Sequence, residues 1–254
     1  MIVPAWTRLH QEASEAWLIA KKDIRLYYAK PPVLAGGILL PFVLFLSFSF
    51  GRNQPLSSLI PTLAAMWVFF TSSTIGPAVI PWEKTSRTFE RLLTAPISLM
   101  AVLMGKILAG MIFGVGISLT TLIIGSMVFG AKVTDWFLLV LGLLSAAGAF
   151  SALGILFSAL PRRDVGSAMM LSMIVRWPLL FISGLFIPVT ALGTWGERLA
   201  WLSPLTFAND ILLRAMGHTA YYSSWIDLLM LMLFGCVFLW LGLRLHESGR
   251  QKGI

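Results

Sequence analysis

The stretch WFLLVLGLLSAAGAFSALGILFSAL, residues 136–160, contains no charged side chain. At about 1.5 Å of rise per residue, a helix of this length reaches about 37 Å, more than the ~30 Å hydrocarbon layer of a bilayer. Asp135 precedes it and Pro161-Arg162-Arg163 follows, so polar and turn-forming residues bound it on both sides. It has no period-two alternation, and backbone in lipid must satisfy its own hydrogen bonds. The run therefore reads as a transmembrane helix and not as a barrel strand.

Working outward, five more runs of this kind appear, at about 33–50, 59–80, 107–131, 165–188 and 226–243. The turn-prone Gly51-Arg52-Asn53-Gln54-Pro55 divides the first two, Lys132 and Asp135 mark the turn before residue 136, and Asp164 closes the break before the fifth. The whole 254-residue chain agrees: 57% of it is hydrophobic, only 12% is charged, and the mean hydropathy is +0.85. Soluble domains carry about 25% charged residues. The expected fold is an all-α polytopic membrane protein with six transmembrane helices. A cytoplasmic segment 1–32 precedes the membrane domain 33–243, and a tail 244–254 follows it.

The net charge of +8 belongs to that topology. With the N-terminus inside, the cytoplasmic segments hold Arg8, Lys21, Lys22, Arg25, Lys30, Lys84, Arg87, Arg91, Lys106, Arg162, Arg163, Arg244, Arg250 and Lys252. The outer segments hold Arg52, Lys132, Arg198 and Arg214. This bias places both termini in the cytoplasm. The basic residues hug the ends of apolar runs and form no aromatic-interleaved face, so nucleic acid is not the expected partner. The first apolar run starts too late for a cleavable signal.

Two further segments read as helices that do not span. Trp6, Leu9, Ala13, Trp17, Ala20, Ile24 and Tyr27 recur at three- and four-residue steps, as in an amphipathic helix lying along the inner leaflet, and Pro31-Pro32 turns the chain into the first span. Between spans five and six, Trp195, Leu199 and Leu202 share one face of a short helix. Ser203-Pro204 reads as N-cap plus first-turn proline, and Gly217 as the residue just past a helix over 204–216. This outer segment either dips into the outer leaflet, with Trp195, Trp201, Tyr221, Tyr222 and Trp225 at headgroup level, or forms a plain extracellular cap.

Sites for covalent chemistry are not visible. His10, His218 and His246 are isolated and read as surface residues near water, and no metal-binding spacing exists. Cys236 is the single cysteine. Gly105-Lys106 resembles the end of a phosphate loop, but Met100 stands where the first glycine belongs. Asp135, Asp164 and Asp227 sit at span ends, so no carboxylate is placed to couple an ion gradient, and any uphill transport must draw on another subunit. The glycines at 110, 114 and 116, and at 148 and 154, suit close helix contacts within the subunit or across a dimer face. Arg176 is the one charge well inside a span. It reads either as an anion-sensing or gating residue on a substrate path, or as an arginine hydrogen-bonded to backbone carbonyls.

Between spans two and three the chain reads PWEKTSRTFERLLTAP, residues 81–96. Phe89, Leu92 and Leu93 make a small apolar face flanked by Glu83, Arg87, Glu90 and Arg91. Such a face could seat in a groove of a cytosolic partner or rest on lipid headgroups, and periodicity alone does not choose.

This stretch resembles the Arg-Glu-x-Gly-Thr-Leu-Glu-x-Leu-Leu-x-Thr-Pro element of the ABC-2 family of exporter membrane subunits, which move drugs or polysaccharides. Glu83, Thr88, Glu90, Leu92, Leu93 and Pro96 match, with Phe89 in place of a leucine. Ser86 or Arg87 stands near the usual glycine, and one extra residue precedes Pro96. Downstream, Ser183-Gly184-Leu185-Phe186-Ile187-Pro188 and Trp201-Leu202-Ser203-Pro204-Leu205-Thr206-Phe207, then Arg214, resemble a second element of that family. Ser203 replaces the common asparagine there and Phe207 the common tyrosine.

The resemblance implies a permease in the cytoplasmic membrane, not itself an enzyme, working as a homodimer with two separate ATP-binding cassette subunits. ATP and Mg would be bound by the partner, with no cofactor or metal in this chain. Residues 83–95 would form the coupling helix, with Glu83, Arg87, Thr88, Phe89, Glu90, Leu92 and Leu93 contacting the ATPase. The N-terminal helix would lie beside the same interface. The substrate path would run between protomers, with Arg176 as its candidate residue and helices within 189–217 as its outer cap. The 17 Phe and 10 Trp suit an amphiphilic or lipid-like cargo, though aromatic linings also suit saccharides. A membrane scaffold without transport is the reading from another class.

Overall fold

The computed structural model describes residues 5–28, 30–49, 55–86, 88, 97–159, 164–191 and 193–251. All regular structure among them is helical. Helix α1 is Ala5–Tyr27. Helix α2, Pro31–Leu34, passes through a π-helical stretch at Ala35–Leu39 into α3, Leu40–Ser49. Then come α4 (Leu56–Thr85), α5 (Leu99–Phe129), α6 (Trp136–Ser158) and α7 (Val165–Phe181). A 3₁₀ turn at Val189–Ala191 leads to the short α8 (Gly193–Ala200) and α9 (Pro204–Ala215), and the chain closes with α10 (Ser224–Gln251).

Four helices among the described residues are long and apolar enough to cross a membrane: α4, α5, α6 and α10. The ends differ from the hydropathy runs in an instructive way. Helix α5 begins eight residues before the expected 107, because Ser98 caps it by accepting from Ala101 N–H at 3.0 Å. Asp135 and Asp164 cap α6 and α7 in the same manner, at 2.9 and 2.8 Å. Helix α7 stops at Phe181 instead of continuing to 188, since Pro178 and the positive φ of Gly184 (81°) end regular winding.

Helix α4 is the axis of the bundle. It is apolar all round and buried almost throughout, as a helix surrounded by other helices must be. Glycines let its neighbours close on it: a Cβ on Gly76 would stand 2.1 Å from the Gly154 carbonyl oxygen of α6, and one on Gly114 of α5 would stand 1.9 Å from Ser72 Oγ. The glycine stretches thus serve packing within the subunit at 110, 114 and 154, while Gly116 has nothing near it.

Between α7 and α10, the short α8 is largely exposed while α9 packs into the bundle. Helix α9 is buried from Pro204 through Leu212, between α4, α6 and α10. Ser203 occupies the N-cap position, but its hydroxyl donates across to the Leu179 carbonyl of α7 at 2.8 Å. Gly217 ends the helix as expected: its φ is 76°, and His218 N–H reaches back to Leu213 O at 2.9 Å. Tyr222, expected at headgroup level, is buried between the rings of Trp201 (5.0 Å) and Phe207 (5.4 Å). Trp195 and Trp225 do stay exposed.

Candidate functional site

The segment with the strongest partner-binding pattern is described as far as Ser86, at Thr88, and again from Ile97. Arg87, Phe89, Glu90, Leu92 and Leu93 lie outside the described residues. Thr88 is exposed and its hydroxyl donates to the Glu83 carbonyl at 3.2 Å. What the structure defines is the joint at the base of this segment.

Glu83, read from sequence as a surface charge of the segment, is fully buried. It belongs to the last turn of α4, where a ring of four charges closes. Lys106 Nζ of α5 donates to Glu83 Oε2 at 2.6 Å and to Asp23 Oδ2 of α1 at 3.0 Å. Lys22 Nζ donates to Glu83 Oε1 and lies 2.9 Å from Asp23 Oδ1. Each carboxylate gives one oxygen to each lysine, and the four charges cancel. Asp23, Glu83 and Lys106 are shut off from solvent, and only Lys22 is partly open. Burial alone would lower the pKa of the Lys22 ammonium, but the charges of Asp23 and Glu83 outweigh it and hold the group above its ordinary value.

The ring explains two further features. Helix α1 does not merely rest on a surface: Ala16, Ile19, Ala20 and Asp23 face inward, largely onto α5, Tyr27 packs with Ile75, Ala78 and Val79 of α4, and Trp17, Leu18 and Leu26 face out. Of the residues spaced as a stripe, Ala20 and Tyr27 thus lie on the inward face and Trp17 does not. Gly105 makes the crossing possible, since a Cβ there would lie 2.6 Å from the Ala16 carbonyl oxygen. The Gly105-Lys106 pair that echoes a phosphate loop is thus the seat of α1. Tyr28 adds a hydroxyl bond to the Ala109 carbonyl and an edge contact of 4.3 Å with Phe113.

Arg176 is completely buried. Its two terminal nitrogens donate to Thr74 Oγ1, at 3.1 Å, and to the Ser73 carbonyl, and the guanidinium lies 5.7 Å from the centre of the Phe157 ring. The reason is local to α4. Pro77 has no N–H, so the carbonyl four residues back, that of Ser73, has no helical donor. Arg176 supplies it. Of its two sequence readings, bonding to backbone carbonyls is the one the geometry displays.

His246, expected at the surface, is buried with Nε2 3.3 Å from Ser158 Oγ. The Ser158 hydroxyl also donates to the Ile155 carbonyl at 2.6 Å, so the pair links α6 to α10. Asp23, and the ring as a unit, escaped sequence reasoning because lysines at span ends read as orientation signals, and Asp23 lies 83 residues from Lys106.

No curated protein matches the chain. The family model described as "ABC-2 type transporter" matches residues 14–217, from within α1 to the glycine that ends α9. That span holds the charge ring, the segment it brackets and the buried helix α9, and on it the chain belongs to the ABC-2 type transporter family.

Proposed function

We propose that this chain is the membrane-spanning permease subunit of an ABC-2 exporter, moving an amphiphilic or lipid-like compound outward with ATP hydrolysed by a separate subunit. Family membership carries the transport reading. The charge ring supports the coupling reading, because it binds α1, the end of α4 and the start of α5 into one unit at the base of residues 86–98. A push on that segment by an ATPase would be delivered to three helices at once, with Arg87, Phe89, Glu90, Leu92 and Leu93 as the contact set and Glu83 as its buried anchor. In this reading α2–α3, α4, α5, α6, α7 with residues 182–188, and α10 make six spans. The ring end faces the cytoplasm of a cell membrane, and two copies flank the path.

Co-expression with the cognate ATPase and affinity purification tests this. The wild-type permease should retain the ATPase, and Leu92→Asp or Glu90→Arg should release it while the permease remains folded. Full retention by both variants removes the coupling assignment.

A further inference from the structure

At the end of the bundle opposite the charge ring, α4, α9 and the stretches 184–189 and 218–221 enclose a cavity of about 730 Å³. That volume suits a ligand of drug size. Its wall divides by chemistry. Leu59, Leu185, Phe186 and Leu213 form an apolar side, while Thr62, Asn209, Asp210 and Tyr221 bring hydrogen-bonding groups. Asn209 is 6% exposed, and its Oδ1 has no hydrogen-bond partner among the described residues. Such an atom is costly when left unmatched in a dry environment, so a donor from outside is favoured there.

Charge narrows the occupant. Asp210 lines the cavity and holds its place by accepting the N–H groups of Tyr221 and Tyr222, both at 2.7 Å. Among the described residues, no lysine or arginine lines the wall, and His218 and Tyr221 are the other titratable groups there. Behind the wall, Arg214 acts on both Asp210 and Asp227 with opposite charge. Glu197 hydrogen-bonds Tyr221 at the rim, and Arg198 is turned onto Trp195 at 5.5 Å. An anionic head group would meet the Asp210 carboxylate with no lysine or arginine among the described lining residues to offset it.

We propose that this cavity binds a cationic amphiphile, with Asn209 and Asp210 accepting from a protonated amine and Leu59, Leu185 and Leu213 surrounding its aliphatic chain. The assignment rests on the exporter reading, under which the cavity is the last compartment before release, and it narrows the cargo from amphiphiles in general to amine-bearing ones.

The test uses the full-length permease in phosphatidylcholine nanodiscs, without ATPase, titrated with radiolabelled decylamine against decanoate and octyl glucoside. Saturable decylamine binding is expected, resisting competition by decanoate. Asn209→Leu should weaken it by about tenfold, the loss of one charge-assisted hydrogen bond. Thr62→Arg, which places a cation on a half-buried stretch of wall, should abolish it. Both variants are checked for a wild-type melting temperature, and should Asn209→Leu not fold, Thr62→Arg alone decides. Decanoate competing as well as unlabelled decylamine overturns the charge assignment. Octyl glucoside binding in place of the amine overturns the ligand class. Binding absent, or unchanged in the folded variants, overturns the site. None of these results touches the exporter reading, which stands or falls on ATPase retention.

Discussion

Both ends of the bundle gather acids and bases, and they treat them in opposite ways. At the ring end, Lys22, Asp23, Glu83 and Lys106 are matched, carboxylate oxygen by carboxylate oxygen, in a closed alternating set. At the cavity end, Asp227 has both oxygens buried without a hydrogen-bond partner, and Arg214 Nε, Tyr222 Oη and Asn209 Oδ1 are in the same condition among the described residues. Burying a charge is tolerated when it is paired, so the first arrangement is what a fixed joint requires. The second leaves bonding capacity unused beside a cavity, as a place that receives something requires.

That contrast can be broken by mutation. The largest effect is expected from Glu83→Ala, which leaves Lys22 and Lys106 sharing Asp23 alone, with one buried positive charge in excess. It should cost about 3–5 kcal/mol, read as a lowered melting temperature of the purified protein. The double variant Glu83→Ala with Lys106→Ala should cost clearly less than the sum of the two single changes, because the second removes the charge that the first left in excess. Additive losses would mean the ring is not one unit. Asp210→Ala comes next: it orphans the N–H groups of Tyr221 and Tyr222 and should cost about 2–3 kcal/mol, with faster proteolysis of residues 218–223 as a local readout. Asp227→Asn should change stability by less than about 1 kcal/mol, or raise it, since neither carboxyl oxygen has a hydrogen-bond partner among the described residues. A loss equal to that of Glu83→Ala would erase the distinction between the ends.

The smallest effect concerns pH. The folded-state pKa of Lys22 lies above the ordinary 10.5, so its stabilisation is complete below that value and is lost as pH rises through the higher folded one. Alkaline melting curves should fall in wild type and flatten in Lys22→Met.

The class of fold was legible because uncharged runs as long as residues 136–160 have one physical home. The starts at Trp136 and Val165, beside Asp135 and Asp164, were legible, but that of α5 was not, since hydropathy marks where lipid stops whereas Ser98 marks where hydrogen bonding starts. The candidate segment at 83–95 was visible as a pattern, but Glu83 was assigned to the wrong surface. A glutamate beside Lys84 and Arg87 looks solvated until Lys22 and Lys106 arrive from elsewhere in the chain. Asn209 and Asp210 carried no signal at all, because two polar residues in a short amphipathic helix read as its wet face. Only the packing of α9 among three other helices turns them toward a cavity.

The proline that frees the Ser73 carbonyl also sets a mechanical ratio. Helix α4 carries Glu83 at one end and Thr62 of the cavity wall toward the other, and Pro77 is the middle one of the three prolines inside it. At about 1.5 Å per residue, Glu83 lies about 9 Å from Pro77 and Thr62 about 22 Å away on the opposite side. Were α4 to tilt about Pro77, Thr62 would move more than twice as far as Glu83, and the bonds from Arg176 to Ser73 and Thr74 would lie beside the pivot.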